Sequence, residues 1–408
     1  MIEVIVIGGG AAGFFGAIAC KETYPKTHVT LLEAGKTPLA KVRISGGGRC
    51  NVTHACFDPV EFIRNYPRGN KALRGPFTRF QAKHTVDWFN HRGVKLKTEA
   101  DGRMFPITDD SETIVNCLLN SAKNAGITVR TGAAVVGITK LDRGFQVCLK
   151  SQEVYQCDRL LIATGSSPAG YNFAQKLGHT IIPPVPSLFT FNIADKPLQE
   201  LAGISVDSVN LQLTGTPLTQ TGPLLITHWG ISGPAVLKLS AWGARFLQEC
   251  RYKTPLIIDW LPELNIDQLR EIILQTKSEF GKRSPSSHCP INLPRRLWQY
   301  LIIRVGINPQ QPWAELSKKH LNQLIEELKR SRHQITGKGV FKEEFVTCGG
   351  VNLKEIDFKT MASRRCPGLY FAGEILDIDG VTGGFNFQNA WTTGWLAGQG
   401  MGGFPNPN

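Results

Sequence analysis

A short β-branched apolar run at 2–7 ends in Gly8-Gly9-Gly10-Ala11-Ala12-Gly13; residues 14–20 then read as a helix, and a second apolar run at 28–32 ends at Glu33. No other feature limits the fold of this 408-residue chain so tightly. The first run fits a strand buried on both faces. Gly8 permits the tight turn, Gly10 lets backbone approach a pyrophosphate, and Gly13 allows helix and strand to pack closely. Ala11 and Ala12 complete the turn, and the helix start that follows supplies free N–H groups and a positive dipole end that favour an anion. Glu33 stands twenty residues past Gly13, where a carboxylate bonds the ribose hydroxyls of an adenosine. Strand, glycines, helix, strand and acid in this order predict a Rossmann-type dinucleotide site. The same glycine spacing recurs at Gly398, Gly400 and Gly403 with no strand before it, and reads as a flexible tail.

Two distant segments read as further walls of that site. Arg159-Leu160-Leu161-Ile162-Ala163-Thr164-Gly165 is a strand running into a turn, which sets Ala163, Thr164 and Gly165 beside the nucleotide in a doubly wound sheet. Leu369-Tyr370-Phe371-Ala372-Gly373-Glu374 is another apolar strand ending at glycine and acid, followed by Asp377, by Gly383-Gly384-Phe385-Asn386 and by a helical stretch at about 388–396. A helix N-terminus there would stabilise negative charge on a flavin's N1–C2=O edge. A nicotinamide enzyme does not need the far end of the chain to return to its first strand, so the cofactor reads as FAD.

With these segments, Ser45-Gly46-Gly47-Gly48-Arg49-Cys50-Asn51-Val52-Thr53, Gly102-Arg103-Met104-Phe105-Pro106, Thr227-His228-Trp229-Gly230-Ile231-Ser232-Gly233-Pro234 and Gly349-Gly350-Val351 carry a resemblance over nearly the whole chain. The sequence resembles the BaiN/RdsA family of NAD(P)/FAD-dependent oxidoreductases, the aminoacetone oxidase-like flavoproteins. The resemblance implies an α/β fold: a Rossmann-like FAD-binding domain with an inserted β-barrel-like domain and a small helical domain. It implies non-covalent FAD passing hydride through N5, NAD(P)H as a transient donor, Lys41 among the cofactor contacts, and a 45–51 loop lying along the flavin and its diphosphate. It leaves two substrates open: a ribosomal RNA uridine reduced to dihydrouridine, or a small aminoacetone-like amine oxidised with O2. Read for themselves, Gly46, Gly47 and Gly48 expose N–H groups in the kind of concavity that holds an anion, with Arg49 adding charge and Asn51 an amide; the bland alternative is a glycine hinge. Cys50 is either a redox thiol or a small buried filler.

The boundaries read as a FAD-binding domain over 1–187 and 341–408, a β-rich insertion over 188–262 with 335–340, and helices over 263–334. Runs at 188–192, 208–213, 224–227 and 256–259 suggest a small barrel. Ser317 can cap a helix with Leu321, Leu324, Ile325 and Leu328 on one face. In the insertion, His228 is either the group that moves the proton accompanying hydride transfer or a turn histidine bonded to backbone. Arg103 is a substrate anchor or a hairpin tip.

With 42% hydrophobic and 19% charged residues, disorder is excluded as the main reading. Ten cysteines without a Cys-x-x-Cys point to reduced thiols, with neither zinc nor disulfides. The opening residues carry no cationic leader and no apolar stretch reaches about 18 residues, so a cytoplasmic protein without membrane contact is expected. The net charge is +13, and 36–103 holds fourteen Lys and Arg against five acids, with Tyr66, Phe77, Phe80 and Trp88 interleaved. That segment reads as an RNA-facing surface or a solvated basic face. A non-catalytic RNA-binding flavoprotein is the remaining alternative.

Overall fold

The computed structural model describes residues 1–339 and 346–403. The chain divides into two compact units, Met1–Val185 with Val346–Asn408, and Pro186–Phe345. The last residue of the 335–340 stretch assigned to the β-rich domain, the junction at 341–345 and the residues after 403 lie outside the described residues.

The first unit is built on a seven-stranded sheet whose core is parallel, in the spatial order Leu369–Phe371, Arg159–Ile162, Glu3–Ile7, His28–Leu32, Thr128–Arg130. Two short antiparallel strands, Ile356–Asp357 and Ala362–Ser363, extend one edge. The first strand is almost wholly buried, as a strand covered on both faces must be. Its neighbours lie on opposite sides of it, one next in sequence and one far along the chain. This reversal of winding opens a crevice at the carboxyl ends of the strands, where ligands of doubly wound sheets bind.

One sheet face is covered by the first helix, Ala11–Thr23, packed along the last, Phe385–Met401. Glycines set their spacing: a Cβ on Gly394 would lie 2.6 Å from the Ala12 carbonyl oxygen, and one on Gly398 would lie 2.5 Å from that of Gly16. The flexible tail expected at 398–403 is thus corrected for Gly398 and Gly400. Both belong to the last helix, and Gly398 is a contact surface for the first.

In the second unit six antiparallel strands close a barrel in the order Phe191–Ile193, Gly230–Ser232, Thr219–Thr227, Ser205–Leu213, Thr254–Asp259, Ser331–Lys338, the last pairing with the first. The strand expected from 188 starts later because Leu188 takes φ +58°, outside the β region. The strand from Ser331 escaped sequence reading because two of its inward residues, Ser331 and His333, are polar yet buried, which hides the alternation. The Ser317 hydroxyl accepts the His320 N–H at 3.1 Å, and Leu321, Leu324, Ile325 and Leu328 are all buried along Lys318–Arg330. With Ile266–Glu279 and Arg295–Arg304 this helix shares one apolar core with the barrel.

Candidate functional site

The crevice of the first unit brings three strand ends together. Gly8 donates to the Leu32 carbonyl at 2.8 Å and takes φ +109°, and a Cβ there would sit 2.4 Å from the Ala163 oxygen. One on Gly13 would sit 1.9 Å from the Gly8 oxygen, so helix and turn touch through backbone. Gly10, the helix N-cap, has nothing within 4 Å of its missing Cβ and no capping side chain. Ala11 and Ala12 follow it, and Ala12 packs against Gly373. Glu33 accepts the Gly9 N–H on Oε2 at 2.7 Å and the Gly35 N–H on Oε1 at 2.6 Å. Each oxygen keeps a second lone pair, enough for two hydroxyl donors. On the other side, Thr164 packs its hydroxyl against Gly170, and Gly165 takes φ +59° next to Glu374. Glu374 bonds the Thr347 N–H at 3.0 Å and pairs with Lys41 at 2.7 Å, whose ammonium also reaches the Ser166 hydroxyl at 3.4 Å.

Beyond this the 45–54 loop and the 377–388 segment brace one another. Gly46, Gly47 and Gly48 take φ +58°, +69° and +84°, with open space beside Gly47 and Gly48. Ser45 closes the loop by accepting the Cys50 N–H at 3.0 Å. With its amide oriented to suit its neighbours, Asn51 donates to the Thr53 carbonyl and accepts the Gly384 N–H, both at 3.0 Å. Gly384 takes φ +92°, and a Cβ there would lie 2.5 Å from the Thr53 backbone. Thr53 donates to Gln388 at 2.7 Å, and the Trp391 indole donates to the Val52 carbonyl at 2.9 Å. Asn386 clasps Gly380, donating to its carbonyl and accepting its N–H. Phe385 and Gly383 face His54, whose Nδ1 lies 3.1 Å from the Gly383 oxygen and whose ring stacks 4.8 Å from that of Phe385. The Asp377 N–H donates to the Val351 carbonyl at 3.2 Å. Burial, and then the charges of Glu374 and Asp377, push the Tyr171 phenol up.

Several chemistry-bearing residues are engaged elsewhere. Arg49 lies over the Phe105 ring at 4.0 Å and pairs with Glu99 at 2.6 Å and Asp109 at 3.4 Å, which hold its charge within the fold. Arg103 pairs with Glu99 and Asp101. Cys50 is fully buried at φ +59° and burial pushes its thiol up to about 12, so the redox reading of this cysteine gives way to the filler. His228 is exposed in the second unit, on the turn between Thr219–Thr227 and Gly230–Ser232.

The aromatics read as an RNA-stacking surface are corrected: Tyr66, Phe77 and Phe80 are core residues, and Trp88 lies against Phe15 under the Arg92 guanidinium. An amphipathic helix buries its aromatic face; Asn70–Arg79 turns Leu73, Pro76 and Phe77 inward and leaves Lys71 and Arg74 exposed.

Sequence reading missed His54, Asp379 and Gln388, and counted Arg68 among the RNA-facing cations of 36–103, where the structure instead turns it onto Asp379. His54 directly follows the glycine-rich block. Arg68 and Asp379 form an ion pair, the carboxylate fully buried, that anchors the turn before Gly383.

The open spaces beside Gly10, Gly47 and Gly48 and the remaining lone pairs of Glu33 fit a dinucleotide. The model of the HI0933-like protein Rossmann domain family matches residues 2–400. The chain belongs to this family. It is a family of FAD-binding oxidoreductases, and the enzyme class of this member follows from it. The chain is 32% identical to the ribosomal RNA dihydrouridine synthase of Escherichia coli K12, covering 97% of each chain. It is 29% identical to the 3-dehydro-bile acid delta(4,6)-reductase of Clostridium scindens, covering 98% of each. Among solved structures, the 3-ketosteroid-delta4-(5alpha)-dehydrogenase of Rhodococcus jostii RHA1 shares the fold at a TM-score of 0.52 and 13% identity, over 99% of this chain and 97% of that one. Among the described residues no helix is long and apolar enough to cross a membrane, and no cluster of three or more His, Cys, Asp or Glu could hold a metal.

Proposed function

We propose that this HI0933-like protein reduces a uridine of ribosomal RNA to dihydrouridine in the cytoplasm, with NAD(P)H as the transient electron donor. The full-length likeness to the E. coli ribosomal RNA dihydrouridine synthase carries this reading. Bound FAD supplies a two-electron carrier that delivers hydride. The chain's own part is to bind and orient. Glu33 would hold the adenosine ribose; the N–H groups at 10–13 and 46–48 would hold the diphosphate, with Lys41 adding positive charge; the start of the last helix would stabilise charge on the flavin's pyrimidine edge. Hydride added to a C=C bond conjugated to a carbonyl leaves charge that must take up a proton, and an imidazole is suited to giving one near neutral pH. His228 is our candidate for that donor.

A uracil and a delta(4,6) 3-dehydro bile acid share the conjugated C=C–C=O unit, so the chemistry alone does not choose between them. The basic face favours RNA. Lys71, Arg74 and Lys83 are exposed and pair with no described carboxylate, and phosphate contacts of this kind offset the few kcal/mol needed to expose a base.

The test is anaerobic reduction of the holoenzyme with NADH or NADPH, followed by ribosomal RNA, aminoacetone with O2, or an unsaturated 3-oxo steroid. Reoxidation by RNA with two hydrogens gained at a uridine, read by mass spectrometry, supports the proposal. Turnover of the amine or the steroid with RNA unchanged overturns it, and no reoxidation by any acceptor leaves a binding protein. Reversing Lys71, Arg74 and Lys83 to Glu should weaken RNA binding and flatten its salt dependence by roughly 0.7 in log–log slope per lost phosphate contact on single strands. Arg68 is kept out of this set because reversal would break a buried ion pair.

A further inference from the structure

The barrel unit carries a cavity of about 590 Å³ that the reading above does not use. Its walls are segments 205–208, 260–264 and 290–294, with Ile272 from the helix Ile266–Glu279, all from this unit.

Two features of the backbone build it. Val206 pairs with Leu224 but Val209 pairs with Gly222, so the strand Ser205–Leu213 carries one extra residue at 207–208. Such a bulge bends its strand and re-aims side chains, and both bulge residues line the cavity. On its other edge the same strand pairs with Thr254–Asp259 only from Asn210 onward, where the chain leaves the barrel to form the 260–264 wall. That wall is fixed in place. Trp260 donates its backbone N–H to Leu328 at 2.9 Å, and Leu261 donates to the Asp259 carboxylate at 2.9 Å. The Lys329 ammonium bonds the Leu261 and Leu264 carbonyls at 2.7 and 2.5 Å and pairs with Asp259 at 2.7 Å.

The lining chemistry is selective. Val206, Ile272 and Leu293 give an apolar interior. Trp260, 1% exposed, lines it as well and adds aromatic surface. Asp207 and Glu263 are exposed lining residues, and no Lys, Arg or His lines the cavity. In a chain of net charge +13 this is a locally acidic site.

We propose that this cavity binds a small organic cation, its apolar body against Val206, Ile272 and Leu293 and its ammonium group at Asp207 and Glu263. The volume falls within the roughly 300–1,000 Å³ range of small-molecule pockets. Solvent-exposed ion pairs contribute only about 0–1 kcal/mol each, so apolar burial supplies most of the affinity and the two carboxylates supply the selection against anions. This inference is independent of the RNA reading, since none of these residues belongs to the cofactor crevice.

Titration calorimetry of the FAD-loaded protein with phenethylammonium and its carboxylate counterpart 3-phenylpropanoate tests it. The ammonium should bind saturably and about tenfold more tightly than the carboxylate. Ile272→Trp, which fills the cavity, should abolish binding. Asp207→Asn, at an exposed position, should erase about half of the preference for the cation on a logarithmic scale while melting temperature and FAD content stay at the parent values. No saturable ammonium binding, equal binding of the two compounds, or undiminished binding by a folded Ile272→Trp protein would overturn the proposal. Should Ile272→Trp fail to fold, the fall or persistence of cation preference in Asp207→Asn decides.

Discussion

Removing the Arg68 guanidinium tests how the turn at the cofactor crevice is held. Arg68 forks onto Asp379, Nε to Oδ1 at 2.5 Å and Nη2 to Oδ2, and the Asp379 side chain is fully buried. Arg68→Ala therefore leaves a buried carboxylate without this counter-charge, a change that costs roughly 3–5 kcal/mol when one partner of a buried pair is removed. At about 2–4 °C per kcal/mol for a unit of this size, the apoprotein should melt roughly 6–20 °C lower. Asp379 opens the turn that Asn386 clasps at Gly380 and that leads to Gly383 and Gly384, so FAD should also dissociate more readily. Replacing both partners, Arg68→Leu with Asp379→Leu, removes the stranded charge and should recover at least half of the lost stability, because apolar pairs of similar volume commonly replace buried ion pairs at little cost. Thermal melts of apo- and holoprotein, with FAD affinity from flavin fluorescence, on the parent, Arg68→Leu, Asp379→Leu and the double variant give all four corners of the cycle. A parent-like melting temperature for Arg68→Ala, or a double variant as unstable as the two singles summed, would refute the argument.

Glu33→Ala removes the acceptor of the Gly9 and Gly35 N–H groups and, on the proposed reading, of the ribose hydroxyls; at about 1.5–3 kcal/mol for hydrogen bonds to a charged group, FAD affinity measured by equilibrium dialysis should fall by roughly 10- to 100-fold. Gly10→Ala and Gly384→Ala should separate space from strain: Gly10 takes φ −92° and a Cβ there meets nothing within 4 Å, while Gly384 takes φ +92° and a Cβ there meets the Thr53 backbone at 2.5 Å. Gly10→Ala should then weaken FAD binding more than it lowers the apoprotein melt, and Gly384→Ala should lower both; equal effects on both quantities in both variants would contradict this placement. Acid should weaken the barrel unit through His333, whose imidazole burial, and next Arg304, push down to about 4. Between pH 6.5 and 4 the unfolded chain takes up a proton that the folded state refuses, so this contribution is complete above about 6.5 and lost on acidification, up to about 3 kcal/mol. Urea midpoints at pH 7 and 4.5 should converge less in the parent than in His333→Gln, and identical pH slopes would sink the assignment.

What could be read from the sequence was the part whose cause is local. Gly8, Gly13 and Glu33 were legible because a turn, a close approach and a strand-end acid each leave a fixed spacing. The Lys318–Arg330 helix was legible because its cap and buried face lie within fourteen residues of Ser317. The same local logic failed where the partner is remote. Gly398 reads as tail until the first helix is set against it, and Phe77 reads as a stacking aromatic until its helix is docked by its apolar face. Ser331 and His333 concealed a strand because their polar side chains satisfy each other, hydroxyl to Nε2 at 2.8 Å, inside the barrel wall.

The cofactor crevice shows the limit most clearly. The 45–53 block and the 383–386 block were each visible as glycine-rich, but the reason for those glycines is not inside either block. Gly384 is required by the Thr53 backbone and Gly8 by the Ala163 carbonyl; Thr53 meets Gln388 and His54 meets Gly383 across sequence separations of 335 and 329 residues. Nothing local to Gln388 or Asp379 marks it as a brace, since a glutamine inside a helix and an aspartate before a glycine are ordinary surface choices. They become site residues only when the fifth parallel strand, Leu369–Phe371, lays the end of the chain beside its beginning. The two motif blocks are therefore one structural unit, and a substitution on either side of it should perturb FAD retention through the other.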